Sequence, residues 1–306
     1  MTRNDGKNWT KASVKIAGNP GYWVSRVEAS PSDPATAYVS YSGFRNDDFR
    51  PFLYKTTDYG DTWTSIAGNL PNETINVVRE DPRNPNLLFV GTDGAVYASL
   101  DGGKSWTKMK GNMPSQPVHD LQIHPRERDL IVATHGRSAW IADISALEEI
   151  TPRVLAEDVH LFSIEPGYQW SEVLPKQTFS ANFSGKSEPL GLAINYYLKK
   201  KPAGEVVIQI FQGSLKINEL KGTAEPGLNS VLWPMTRARA GGVPPPTARS
   251  AAAIDPDSIP EEYRERFLRM RSGPPVGEGV YKVVLTVDGK TVSEAAEIRR
   301  DPNAAK

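Results

Sequence analysis

The stretch TTDYGDTW, residues 56–63, decides how this chain is read, because it occurs three times. SLDGGKSW fills 99–106 and TRNDGKNW fills 2–9. The copies align as Thr56, Asp58, Gly60, Thr62, Trp63; as Ser99, Asp101, Gly103, Ser105, Trp106; and as Thr2, Asn4, Gly6, Asn8, Trp9. A short Asp accepts hydrogen bonds from nearby backbone N–H groups, Gly permits a positive φ, and Trp covers apolar surface. The pattern therefore reads as a tight turn. Asn4 in place of Asp implies a weaker turn in the first copy.

Two more markers recur in the same register, the prolines Pro31, Pro82 and Pro125 and the glycines Gly43, Gly94 and Gly136. Short strand-like runs lie between them; in one repeat they are INVVRED, NLLFVGT, AVYASL and SWTKMK. Four strands in a repeat of roughly 40–50 residues is the period of a β-propeller blade.

The spacing S/T-x-D-x-G-x-T/S-W resembles the Asp-box, or BNR, repeat of sialidases, xyloglucanase-type glycoside hydrolases, sortilin-type receptors and photosystem II assembly-factor-like propellers. SGFRNDDFRPFLYKTTDYGDTW, NLLFVGTDGAVYASLDGGKSW and DLIVATHGRSAWIADI resemble the C-terminal part of large bacterial BNR-repeat proteins described as glycosyl-hydrolase-like or sortilin-like. The resemblance implies that the Asp-box residues Gly6, Trp9, Asp58, Gly60, Trp63, Asp101, Gly103 and Trp106 are structural and sit on the outer edge. The same residue in every blade cannot make one convergent catalytic site.

If these turns join strands three and four, the loops between strands two and three lie on the other face with the inter-blade links. That face is expected to hold Tyr22, Trp23, Arg45, Arg50, Glu73 and Arg137 as binding residues. Asp47, Asp48, Asp93 and His135 are its catalytic candidates. Strand alternation places Val27, Val78 and Leu121 between blades and turns Arg26, Glu28, Arg79 and Asp120 into an axial channel. A glycosidase requires two carboxylates across a bond, and no spacing singles out a pair. A sialidase set of arginines and a tyrosine is conceivable from Arg26, Arg45, Arg79 and Tyr22, but too few blades are present to assemble it.

Lys+Arg and Asp+Glu are 36 each. A net charge of zero removes the electrostatic case for nucleic acid. Cysteine is absent, so disulfides and cysteine metal sites are excluded. His119, His124 and His135 lack metal-ligand spacing, and no P-loop, dinucleotide fingerprint or nucleophile elbow occurs. No cofactor or metal is expected. No apolar run reaches transmembrane length, and no signal pattern opens the chain. The resemblance implies an extracytoplasmic protein (secreted, periplasmic or cell surface), exported by a segment not on this chain.

The repeat stops near residue 150. Residues 151–186 read as a connecting segment with a strand or two. In 187–306, Leu190, Leu192, Ile194, Tyr196 and Leu198 alternate, as do Val206, Ile208 and Ile210, then Val231, Trp233 and Met235. VYKVVLTVDGKTVSEAAEI reads as a hairpin turning at Asp288-Gly289. An antiparallel sandwich follows from these patterns. NYYLKKKPAGEVVIQIF, GLNSVLWPM and GEGVYKVVLTVDGKT resemble the immunoglobulin-like domain of the flagellar hook-capping type. An insertion over 236–273 combines a Pro-rich loop with helix signals around IPEEYRERFLRMRSG.

The expected fold class is thus all-β: an incomplete Asp-box propeller of about three blades over 1–150, then an immunoglobulin-like sandwich with a short helical insertion. Residues 8–13 are expected to form an outer strand. Three blades cannot close a ring, since propellers take 4–8. The missing blades are expected from a longer polypeptide, from a different partner chain, or from a second copy in a six-bladed ring, in that order. The first functional expectation is a non-catalytic binding or scaffold protein recognising a protein or glycan, as part of a larger extracytoplasmic protein or complex. The alternatives are a glycoside hydrolase of sialidase or xyloglucanase type and a structural subunit of a surface or membrane-associated assembly.

Overall fold

The computed structural model describes residues 2, 4–169, 191–238 and 273–302. The chain divides into two compact units, Met1–Pro152 and Arg153–Lys306. The first is propeller-like. Its first blade is the four-stranded sheet β1 (Trp23–Ala29), β2 (Ala37–Gly43), β3 (Asp48–Thr56) and β4 (Thr64–Ser65). The second is β5 (Ile75–Glu80), β6 (Leu88–Thr92), β7 (Val96–Ser99) and β8 (Thr107–Lys108). The third has three strands, β9 (Val118–His124), β10 (Asp129–Thr134) and β11 (Ala139–Asp143), followed by α1 (Ser145–Glu149) and α2 (Pro152–Ala156). Each sheet is an antiparallel meander, with successive strands paired.

The repeated motif forms the turns between β3 and β4 and between β7 and β8. Thr62 donates its N–H to Asp58 Oδ1 at 2.8 Å and its hydroxyl to Oδ2 at 2.6 Å. Gly60 N–H donates to Thr56 Oγ1 at 2.9 Å, and Gly60 has φ 80°. Ser99, Asp101, Gly103 and Ser105 repeat this arrangement. The Thr62 hydrogen bonds hold the Asp58 carboxyl down at about 2. Burial opposes the charge of Asp101, but its Ser105 and Ser99 bonds outweigh that and keep its carboxyl low as well. The first copy also turns, with Gly6 N–H on Thr2 Oγ1 at 2.9 Å and Asn8 N–H on Asn4 Oδ1 at 2.9 Å.

The tryptophans then depend on what precedes them. The link Ile66–Asn69 clasps Trp106: its indole N–H donates to Ile66 O at 2.8 Å, and its backbone exchanges bonds with the Asn69 amide at 2.7 and 2.9 Å. Gly68 makes the approach, with φ 48° and the Trp106 ring 3.5 Å from where a Cβ would sit. Trp106 is 4% exposed and Trp63 is half-buried, whereas Trp9 is 73% exposed. The expected outer strand over 8–13 does not form; Ala12–Lys15 is a 3₁₀ turn instead. A strand needs a partner strand to take its backbone hydrogen bonds, and no described strand pairs with this segment.

Apolar side chains fill the spaces between sheets. Tyr38 and Leu53 of the first blade meet Ile75, Val78, Leu88 and Val90 of the second. Val77, Phe89 and Val96 meet Val118, Leu121, Leu130 and Val132 of the third. Val78 and Leu121 pack between blades as expected, but Val27 is 64% exposed, because its side of the first blade has no preceding sheet among the described residues.

A buried carboxyl pair ties α1 to the second blade. Asp81 Oδ1 accepts the N–H groups of Arg83 and Asn84 at 2.9 and 2.8 Å. Glu148 Oε2 accepts Arg128 Nε at 2.5 Å, with Arg83 Nε at 3.6 Å. Asp81 Oδ2 and Glu148 Oε1 are both buried with no donor. Burial pushes the Glu148 carboxyl up, Arg128 pulls against it, and the charge of Asp81 adds to the rise. Were Glu148 to hold a proton, its O–H would supply the donor that both oxygens lack. A carboxyl raised in the folded state stabilises fully below its unfolded value, and that contribution is lost as pH rises through the folded value. Glu148→Gln keeps an N–H donor at all pH. It is expected to flatten the fall of the unfolding midpoint with rising pH above the ordinary carboxylate range; a slope equal to that of the wild type removes the shared proton from the account.

The second unit is a sandwich. One sheet orders β12 (Val159–Leu161), β14 (Leu192–Leu198) and β17 (Gly227–Trp233). The other orders β13 (Gly167–Gln169), β19 (Lys290–Arg300), β18 (Gly279–Val287), β15 (Val207–Gln212) and β16 (Leu215–Lys221). Thus β12 and β13, inside the stretch read as a connector, are strands of the sandwich. Ile194, Tyr196 and Trp233 from one sheet and Ile208, Ile210, Tyr281, Val283 and Leu285 from the other make one core. The β18–β19 hairpin turns at Asp288 and Gly289, with φ 47° and 80°. That is the paired positive φ of a type I′ turn. The expected helix near 259–272 and most of its loop, and Leu190, lie outside the described residues.

Candidate functional site

The loop end opposite the Asp-box turns carries the candidate residues, blade by blade. On the first blade the β2–β3 connection is a 3₁₀ turn over Phe44–Asn46, closed by Asp47 at φ 54°. Asp tolerates this left-handed backbone through its short polar side chain. Gly43 is required there, since a Cβ would lie 2.5 Å from Asp48 O. Asp48 then faces back across the sheet. It takes Arg50 Nε at 2.9 Å and Nη2 at 2.6 Å, and the Tyr22 hydroxyl at 3.1 Å. The Arg50 guanidinium holds the Asp48 carboxyl well below the carboxylate range, and the Asp48 bond pushes the Tyr22 hydroxyl up.

Around this ion pair lie apolar rings. Phe44 and Phe49 meet edge to face at 6.0 Å, and the Arg45 guanidinium sits 5.2 Å from the centre of the Trp23 ring. Tyr22 meets Phe52 at 5.7 Å, and Arg50 lies over Phe52 at 5.4 Å. Trp23 is 65% exposed, Phe44 58% and Phe49 43%. The sequence reading named Trp23 and Arg45 but missed Phe44 and Phe49. The signal was present, as two aromatics bracketing a short loop of Arg, Asn and Asp.

The candidates on the other blades are occupied locally. Glu73 Oε2 accepts the Thr92 hydroxyl at 2.5 Å, and its carboxylate packs against Gly94, where a Cβ would stand 2.7 Å from Oε1. Asp93 Oδ1 accepts the Asn76 amide at 2.9 Å. His135 anchors its loop through its N–H on Pro117 O at 2.9 Å and stacks on His119, ring centres 5.1 Å apart. The Arg137 carbonyl accepts the Trp140 indole N–H at 3.0 Å. The structure therefore brings together Tyr22, Asp48 and Arg50 on the first blade, with Trp23 and Arg45 as a second contact there. No hydrogen bond or ion pair among the described residues joins them to Glu73, Asp93 or His135.

The four innermost-strand residues form one network across three blades. Arg79 binds Glu28 through Nη1 and reaches Asp120 Oδ1 with Nη2 at 3.2 Å. Its Nε donates to Leu121 O at 2.6 Å, and Arg26 Nη2 meets Asp120 Oδ1 at 2.6 Å. Burial pushes the Glu28 carboxyl up, against the pull of Arg79. Arg79, on the middle blade, thus links the strands on both sides. No group of three His, Asp or Glu among the described residues could hold a metal ion. No described helix is long and apolar enough to cross a membrane.

Residues 52–202 match the Sortilin-Vps10 family, described as sortilin, neurotensin receptor 3. No curated protein matches the chain. Among solved structures, an ancestral GH74 enzyme is 26% identical over 38% of this chain and 14% of its own, with a TM-score of 0.32. The GH74 xyloglucanase of Xanthomonas campestris is 12% identical over 89% of this chain and 38% of its own, TM-score 0.33. The GH74 enzyme of Niastella koreensis is 13% identical over 89% and 46%, TM-score 0.34. The chain spans less than half the length of each of these structures. By its stacked four-stranded sheets and its family match, it is a propeller-type protein.

Proposed function

We propose that the chain is a non-catalytic recognition module that binds a protein or glycan through the loop end of its first blade. The observation that carries this is the exposed Trp23 ring with Arg45 over it, on the same loop end as the exposed edge-to-face pair Phe44 and Phe49. Clustered exposed aromatics with arginine have the composition of binding hot spots, and apolar groups gathered on a polar surface mark interaction sites. The acids nearby speak against hydrolysis. A glycosidase keeps one carboxyl protonated and sets a second across the bond. Arg50 keeps Asp48 charged, while Glu73 and Asp93 serve as ties within their own loops. The reading extends to an extracytoplasmic setting within a larger protein or assembly, with the sandwich as an immunoglobulin-like spacer. The sortilin-type match supports that setting.

The test is binding of xyloglucan oligosaccharides, of sialyllactose and of a displayed-peptide library. One of these classes is expected to bind. Trp23→Ala should then weaken it by about tenfold or more, the scale of a hot-spot truncation, with the unfolding midpoint unchanged. The reading fails if no class binds, or if Trp23→Ala binds like the wild type.

A further inference from the structure

The residue before the conserved-position glycine of each Asp-box turn is left-handed. It is Asp5 at φ 53° in the first copy, Tyr59 at φ 59° in the second and Gly102 at φ 72° in the third. Gly takes this backbone freely and Asp tolerates it, but for a bulky side chain it is an outlier that costs free energy. The fold uses only the backbone here. Tyr59 N–H donates to Ala35 O at 2.9 Å, and Gly102 N–H makes the matching bond to Asn86 O at 2.9 Å. Tyr59 is 52% exposed, and its side chain makes no hydrogen bond or ring contact with a described residue. Backbone strain that the surrounding fold does not require points to a use of the side chain.

Tyr59 lines a cleft of about 290 Å³ between the first and second Asp-box turns. Asn4, Asn8 and Thr10 come to it from the first copy, Tyr59 and Asp61 from the second, and Lys15 from the 3₁₀ turn that follows the first. Lys15 Nζ meets Asp61 Oδ1 at 2.7 Å, so the two charges cancel. Asn4 Oδ1 accepts the Asn8 N–H at 2.9 Å. The Asn8 side-chain amide bonds no described residue, which leaves it both donors and an acceptor. An exposed aromatic ring, an uncommitted amide and a cancelled charge suit a neutral ligand rich in hydroxyl groups. A sugar ring has a C–H face for the aromatic and hydroxyls that both donate and accept. The volume lies at the small end of ligand pockets, which suits a terminal sugar and not a chain.

We propose that this cleft is a saccharide site, holding a neutral terminal sugar with its C–H face against the Tyr59 ring and its hydroxyls on Asn8 and the Lys15–Asp61 pair. Tyrosine gives such a contact a rigid apolar face at little cost in side-chain entropy. The backbone strain at Tyr59 is then the cost of presenting that ring. The cleft shares no residue with the loop end of the first blade, so this inference and the recognition reading fail separately.

The experiment is saturation-transfer NMR and calorimetric titration of the full chain with methyl β-glucoside, methyl β-galactoside and methyl α-mannoside. At least one is expected to bind. Tyr59→Phe keeps the ring and should bind like the wild type. Tyr59→Gly installs the residue type of the third copy. It should weaken binding by about tenfold or more, with the unfolding midpoint at or above that of the wild type. Trp23→Ala should leave the binding of these glycosides unchanged. The proposal is overturned if none of the three binds, if Tyr59→Gly binds like the wild type, or if Trp23→Ala removes the binding. A midpoint lowered by Tyr59→Gly also overturns it, because the ring would then be serving the fold.

Discussion

Trp106→Ala is expected to destabilise the propeller unit by about 3–5 kcal/mol, the range for truncating a buried tryptophan. The indole is 4% exposed and lies in the core shared by the first two blades. Truncation leaves a cavity there and also orphans the Ile66 carbonyl that accepts the indole N–H. Trp63→Ala should cost roughly half as much, because that ring is half-buried and loses less apolar area on truncation. The two variants differ only in what the preceding repeat supplies, so chemical denaturation of both isolates the contribution of the inter-blade clasp. Equal losses would mean that the Asp-box tryptophans act within their own blades and that the Ile66–Asn69 link carries no stability.

Trp233→Ala should be equally severe in the sandwich, again about 3–5 kcal/mol. Trp233 is fully buried, meets Tyr281 edge to face at 5.5 Å, and donates its indole N–H to Thr236 O at 3.0 Å. It comes from the three-stranded sheet and Tyr281 from the five-stranded one, so the ring joins the two faces. Trp233→Phe keeps most of the volume and loses the N–H, and should cost about 1–2 kcal/mol more than a neutral change. A loss below about 1 kcal/mol for Trp233→Ala, read from urea unfolding, would mean the two sheets do not share this core.

Local patterns were the legible part of this chain. The Asp-box turns carry their own hydrogen-bond donors and acceptors within seven residues, so spacing alone defined Asp58, Gly60, Asp101 and Gly103. Strand alternation likewise exposed the inward row Ile194, Tyr196 and Leu198, and Asp288-Gly289 announced its hairpin. What depends on a neighbour was not legible. Residues 8–13 have the composition of β4 and β8 but pair with no strand among the described residues, and Val27 has the alternation of Val78 without a facing sheet among them. The inner-strand charges were placed by alternation, but their pairing was not, because Arg26 and Asp120 are brought together only when three blades stack. The site followed the same rule. Trp23 and Arg45 stood out as residue types, whereas the structural employment of Glu73 by Thr92 and Gly94 depends on how a link and a turn meet.

The central claim is recognition without hydrolysis, and it is tested most directly by incubating the chain with xyloglucan and with sialyllactose and measuring new reducing ends or free sialic acid. The account predicts no release above a blank from the wild type, and the same from Asp48→Asn, alongside binding that Trp23→Ala weakens by about tenfold or more. Release of sugar by the wild type that Asp48→Asn or Asp93→Asn abolishes would contradict it and make the loop end of these blades an active site.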